Sequence, residues 1–164
     1  MAASRRGQGR TRLQMAPSEV VERSPAIPYV SERDGAMLWT TDKFEQLLGI
    51  PTTEWVGDPE IWIEHLHPDD RERILAACDV AAVPGGHFEE EYRLIRHDGT
   101  TAWVRDVADF YPGADAEQGL WHGVLLPIDR WKTREHDLEV QTELFGERDR
   151  VRLEELRELN DMLE

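Results

Sequence analysis

Hydrophobic patterning begins near Val20 and changes character three times, which divides the chain into a leader, a mixed domain and a charged helix. Ile27 to Ser31 reads as a first strand. The segment Glu32-Arg33-Asp34-Gly35 carries an Asp-Gly hairpin signal, so Met37 to Thr40 is its partner strand. In Asp42 to Gly49, Phe44, Leu47 and Leu48 share one face of a helix that Asp42 and Glu45 would cap and Gly49 would end. Asp58-Pro59 starts a short second helix with Trp62, Ile63 and Leu66 facing inward. His67-Pro68-Asp69-Asp70 starts a third, in which two carboxylates sit at the positive end of the helix dipole. Ile74, Leu75 and Cys78 give it an apolar face, and Pro84-Gly85-Gly86 stops it.

Three more strands follow. In Phe88 to Ile95, even spacing puts Phe88, Tyr92 and Leu94 on one face. A second Asp-Gly turn at Asp98-Gly99 leads into Thr101 to Phe110, where Trp103 and Arg105 oppose Val104 and Asp106. Leu120 to Leu126 is the last strand, closed by Pro127. The predicted class is α+β: a five-stranded antiparallel sheet with its helices inserted between strands two and three. From Trp131 to Glu164 there is no proline and one glycine, and the apolar spacing is helical. Leu156, Leu159 and Leu163 step by three and four as a coiled-coil seam, out of phase with Val140, Leu144 and Val151. So narrow a stripe is marginal alone in water, so the helix is expected to pair with its own copy or a partner. Asp161-Met162-Leu163-Glu164 carries no helix stop, so continuation of the helix beyond the chain is left open. The divisions are residues 1–23 as a disordered basic leader, 24–130 as the domain and 131–164 as a helical linker.

Composition narrows the function. With 34 acidic and 19 basic residues the net charge is −15, which repels a phosphate backbone and argues against nucleic acid. The basic cluster Arg5, Arg6, Arg10 and Arg12 lies in a stretch with almost nothing to bury. Neither a secretory signal nor a membrane-length apolar run is legible, so a cytoplasmic chain without a membrane span is expected. The single cysteine, Cys78, reads as a buried structural thiol.

At this point the residues carry a resemblance. Leu47-Leu48-Gly49-Ile50-Pro51, Glu54-Trp55, Asp58-Pro59 with Trp62, and Leu66-His67-Pro68-Asp69-Asp70 resemble the helical half of a PAS domain. Glu91-Tyr92-Arg93-Leu94, Asp98-Gly99-Thr100, Trp103-Val104-Arg105-Asp106 and Gly123-Val124-Leu125-Leu126 resemble its strand half, the PAC motif of the PAS fold-3 subtype. The resemblance spans about residues 26–130. It implies a sensor or dimerisation module of a larger signalling system, with a small pocket between helices and sheet and a C-terminal helix that relays the signal. Where the family usually closes its last strand with Asp-Ile-Thr, this chain has Pro127-Ile128-Asp129, so the contacts joining strand to linker are expected to differ.

Candidate chemistry is sparse. Asp69 and Asp70 are better read as helix-dipole partners than as an acid–base pair. His65 and His67 fall on different faces of a helix end and lack companions for a metal site, and no haem ligand can be picked from His65, His87 and His122. The reactive Asn-Cys-Arg motif of flavin photosensors is absent, as are phosphate loops and nucleophilic triads. No enzymatic activity and no cofactor are expected. Of six tryptophans, Trp39, Trp62, Trp103 and Trp121 are read as core filling. If a pocket is open to a small ligand, the candidates to line it are Trp62, Cys78, Glu90, Tyr92, Trp103 and His122. Two functions compete. A scaffold that dimerises or docks a signalling partner through its C-terminal helix is preferred, because no cofactor motif is visible. The alternative is a sensor whose small ligand switches the dimer.

Overall fold

A computed structural model describes residues 17–113 and 118–161 of the chain. Five strands, β1 (Ile27–Glu32), β2 (Met37–Thr40), β3 (His87–Ile95), β4 (Thr101–Pro112) and β5 (Gly119–Pro127), form one antiparallel sheet in the order β2-β1-β5-β4-β3. Between β2 at one edge and β3 at the other lie α2 (Asp42–Leu48), α3 (Thr52–Trp55), α4 (Glu60–His65) and α5 (Pro68–Ala81). Because β2 and β3 are opposite edges, the intervening chain must cross the sheet, and its helices bury one face of it. A helix α1 (Pro17–Arg23) precedes β1, and α6 (Asp129–Asp161) follows β5. Class and strand count are as predicted. The structure adds α3 and α1, the latter at the end of the segment read as an unstructured leader; residues 1–16 lie outside the described residues.

The core follows from the two-residue period of the strands. Ala102, Val104, Asp106, Ala108 and Phe110 are all buried, whereas the intervening residues of β4 face the other way. Opposite them, Phe44, Leu48, Trp55, Leu66 and Ile74 from the helices are sealed from solvent. Phe44 meets Trp55 edge-on with ring centroids 4.7 Å apart.

The turns behave as their chemistry predicts. Gly35 at φ 99 and Gly99 at φ 81 take the left-handed conformations of the two Asp-Gly turns. Gly49 at φ 72 ends α2, with its N–H donating to the Glu45 carbonyl. The expected cap at the other end of α2 is not made. Asp42 is already inside the first turn, Thr41 takes the cap position without a side-chain bond, and the Glu45 carboxylate instead accepts from the Thr52 N–H at 3.4 Å.

The acidic start of α5 does more than complement a dipole. Strand β3 is an edge, and its exposed backbone would invite foreign pairing. Asp70 covers it, accepting the Arg93 backbone N–H at 3.0 Å and the Arg93 guanidinium at 2.8 Å, while the His67 N–H donates to the Arg93 carbonyl at 2.9 Å. The guanidinium bond holds the Asp70 carboxyl below its ordinary acidity range.

Two tryptophans read as core are not. Trp103 sits between buried Ala102 and Val104 and therefore on the opposite face of β4, half-exposed, beneath the Arg93 guanidinium at 5.4 Å and the Lys132 ammonium at 5.1 Å. Trp39, on edge strand β2, is 51% exposed. Trp62 is half-buried and Trp121 buried, in keeping with the expectation for them.

Candidate functional site

Helices and sheet enclose a cavity of about 170 Å³. Its floor is the inner face of the sheet and its roof is α4 and α5. Phe44, Trp62, Phe88 and Trp121 supply aromatic walls, and Ser31, Cys78 and Asp106 bring polar atoms.

Among its lining residues is Asp106, only 4% exposed. The register explains its company. Asp106 pairs with Glu90 of β3 and with Leu125 of β5, and Tyr92 follows two residues along β3 on the same face. The Tyr92 hydroxyl donates to Asp106 Oδ2 at 2.8 Å, and the Tyr29 hydroxyl, reaching across from β1, donates to Oδ1 at 3.0 Å. Tyr29 can lie over β5 because its register partner is Gly123, where even a methyl group would overlap the tyrosine ring. Burial pushes the Asp106 carboxyl up to about 7, against the opposing pull of the two hydroxyl donors. Burial and the neighbouring Asp106 push both tyrosines well above their ordinary range. The Cys78 thiol is pushed up to about 12, chiefly by burial and then by Asp106, so it stays protonated and is a poor nucleophile.

Of the residues expected around a pocket, Trp62, Cys78 and Tyr92 line this cavity. Glu90, Trp103 and His122 do not. Glu90 is turned toward α5, where it meets Arg73 at 2.5 Å. Trp103 and His122 have the wrong parity for the inner face, and His122 packs on Tyr111 with centroids 4.6 Å apart on the outer face. His65 binds the Ile61 carbonyl at 2.8 Å and His87 binds Asp109 at 2.7 Å, so neither reaches the cavity. Among the described residues no group of three His, Cys, Asp or Glu side chains is placed to hold a metal ion.

Sequence reasoning missed Tyr29 and Asp106 as pocket residues. The signal for the second was present: Ala102, Val104, Asp106, Ala108 and Phe110 have one parity, and a lone acid in such a series is an acid in a core.

A second arrangement joins sheet to helix where the chain reads Pro127-Ile128-Asp129. Asp129 opens α6, accepts the Trp103 backbone N–H at 2.9 Å and pairs with Arg96 at 2.7 Å. The Ile128 N–H donates to the Trp103 carbonyl at 2.8 Å, and Lys132 reaches Glu91 at 2.8 Å. The first turn of α6 is thereby fastened to β3 and β4. Leu156 and Leu159 lie on α6, and Leu163 lies outside the described residues. No helix among the described residues is long and apolar enough to cross a membrane.

No curated protein matches the sequence significantly. Solved structures do. The N-terminal domain of a diguanylate cyclase with PAS/PAC sensor from Marinobacter aquaeolei is 28% identical, with a TM-score of 0.59 over 65% of this chain and 98% of that one. A sensory box histidine kinase/response regulator from Burkholderia thailandensis is 23% identical, with a TM-score of 0.64 over 79% of this chain and 96% of that one. The PAS-B domain of Drosophila melanogaster Cycle, with bound ethylene glycol, shares 10% identity and a TM-score of 0.52 over 61% of this chain and 99% of that one. The family model described as PAS fold matches residues 37–125, more than half of the chain, from β2 through most of β5 with the helices α2 to α5 between them. With that match, the strand order and the helices between β2 and β3, the chain belongs to the PAS fold family.

Proposed function

We propose that this PAS domain is a small-molecule sensor that passes its state to α6. The observation that carries the reading is the cavity itself. A scaffold needs only a solid core, whereas here about 170 Å³ of space is lined in part by a buried carboxyl group. Its size matches the roughly 150 Å³ of a cavity that accepts benzene and falls below the roughly 300–1,000 Å³ of drug-sized ligand sites. The ligand is accordingly a compact molecule. The relay is short: Asp106 lies three residues along β4 from Trp103, whose backbone N–H bonds to the first residue of α6. A ligand that displaces Asp106 acts on the strand that holds the helix, provided it prefers one of two helix arrangements. The Marinobacter aquaeolei relative is by name part of a diguanylate cyclase, in keeping with a module that senses while another segment carries out the chemistry.

Ligand-observed NMR on the full chain, with fragments of roughly six to ten heavy atoms, tests the reading. Binding that protects the amides of β4 and the first turn of α6 from exchange supports it. A core that takes up no fragment returns the preference to the scaffold.

One observation favours keeping a dimer alongside the sensor. Leu138 on α6 is 58% exposed and lies about five turns before Leu156 on the same side of the helix, apolar surface that a second copy of the helix would cover.

A further inference from the structure

We propose that the cavity is built for a compact organic cation of the alkylammonium class, a reading that rests on the cavity being a ligand site. The contrast among the acids carries it. Among the described residues, Asp70, Glu90, Glu91, Asp106 and Asp129 are the acids withdrawn from solvent. Four have a cation: Arg93 at 2.8 Å from Asp70, Arg73 at 2.5 Å from Glu90, Lys132 at 2.8 Å from Glu91 and Arg96 at 2.7 Å from Asp129. Asp106, the deepest, has two neutral tyrosine hydroxyls and no cation among the described residues. An ionised carboxylate out of water without a counter-charge is costly, and a cation entering beside it removes that cost.

The walls suit the same guest. Phe44, Trp62, Phe88 and Trp121 present aromatic rings to the space, the chemistry that holds ammonium ions elsewhere. The approach is acidic as well. The cavity shares Arg33, Asp34 and Asp79 with an adjoining surface cleft that also holds Glu32, so three carboxylates and one guanidinium line the way in. In a chain of net charge −15 such a vestibule draws cations and repels anions.

The choice of class has a pH signature. The groups that face Asp106 are Tyr29 from β1, Tyr92 and the Arg73-paired Glu90 from β3, and Cys78 and Asp79 from α5, with Arg33 and Asp34 at the rim. The two tyrosines and Cys78 keep their protons near neutrality, whereas Asp106, pushed up to about 7, gains or loses one there. Cation binding therefore strengthens as Asp106 ionises.

Titration calorimetry on the full chain with choline and cyclohexylammonium, each beside its neutral counterpart (the carbon analogue of choline, and cyclohexanol), decides it. The expected result is that each cation binds at pH 8 at least tenfold more tightly than its counterpart. Choline, whose own charge is fixed, should weaken by about tenfold from pH 8 to pH 6 as Asp106 takes up its proton. In Asp106→Asn the preference for cations should vanish while the neutral compounds still bind. Neutral compounds binding the wild-type chain as well as the cations would overturn the cation class and leave the sensor standing. A choline affinity that does not change with pH overturns the assignment to Asp106 even if the Asn variant fails to fold. Failure of all four compounds at millimolar concentration overturns both the class and the sensor reading.

Discussion

Asp106 binds a proton in the folded chain that the unfolded chain has already released, because burial moves its carboxyl from the ordinary 3.8 up to about 7. Between those two values, raising the pH therefore favours the unfolded state, by as much as about 1.4 kcal/mol per pH unit. Asp70 works in the opposite sense. Held below its ordinary value by Arg93, it contributes stability that is present above the unfolded acid range and lost as the pH falls through it. The two are separated by comparing variants. Relative to Asp106→Asn, which carries no titrating group there, the wild-type chain should lose stability steadily from pH 5 to pH 7 in urea unfolding. A difference that stays flat over that range would show that Asp106 is ionised throughout. A second residue-scale prediction concerns Gly123, whose missing side chain makes room for Tyr29. Gly123→Ala should cost about 1–3 kcal/mol, the usual penalty of overpacking, and Tyr29→Leu in the same chain should recover part of it. An alanine variant that melts with the parent would mean the ring does not lie over β5.

At the scale of elements, the two sides of the sheet hold the chain by different means. The inner side is apolar, so Trp55→Ala, at a site with no exposure, should cost about 3–5 kcal/mol. Trp103→Ala, on the outer side and only half-buried, should cost clearly less in the same denaturation experiment; equal costs would put Trp103 back in the core. Polar bonds dominate the outer side and fasten α6 through Asp129. Removing them with Asp129→Ala should leave the sheet folded, lower stability by about 1–2 kcal/mol as for a lost helix cap, and speed amide exchange in the first turn of α6. Unchanged exchange there would mean that Lys132 and Ile128 suffice to hold the junction. The hairpins and the long helix were legible because Asp-Gly turns and apolar periods are local signals. The four-residue α3 was not, since so short a helix has no period to detect.

For the whole molecule, the domain and its helix pose separate questions. We expect a dimer held mainly by residues 132–164, with Leu138 adding to the Leu156, Leu159 and Leu163 stripe. Light scattering on the full chain and on a chain ending before Lys132 checks this. A dimer that persists after the deletion would move the interface onto the domain, where Trp39 and Leu38 are exposed on edge strand β2. The acidic surface bears on assembly too. Self-repulsion between copies of net charge −15 weakens at higher ionic strength, so the dimer should tighten with salt.

The sequence alone determined the five strands, the helices α2, α4, α5 and α6 and their order, because alternation, turn residues and helix starts are properties of neighbours along the chain. It also determined that Trp103 and Asp106 point in opposite directions, although the tryptophan was still expected inside. Only the tertiary structure decided what meets across strands. Tyr29, Tyr92 and Asp106 lie 77 and 14 residues apart along the pairs that bond, and their meeting depends on the register of β1 against β5 and of β3 against β4. Register also sets Gly123 under Tyr29 and leaves Asp106 without a cation among the described residues while Asp70, Glu90 and Asp129 find theirs. A strand's period is written in its own residues, but its partner and offset are chosen by the energy of the assembled core, which no local window contains.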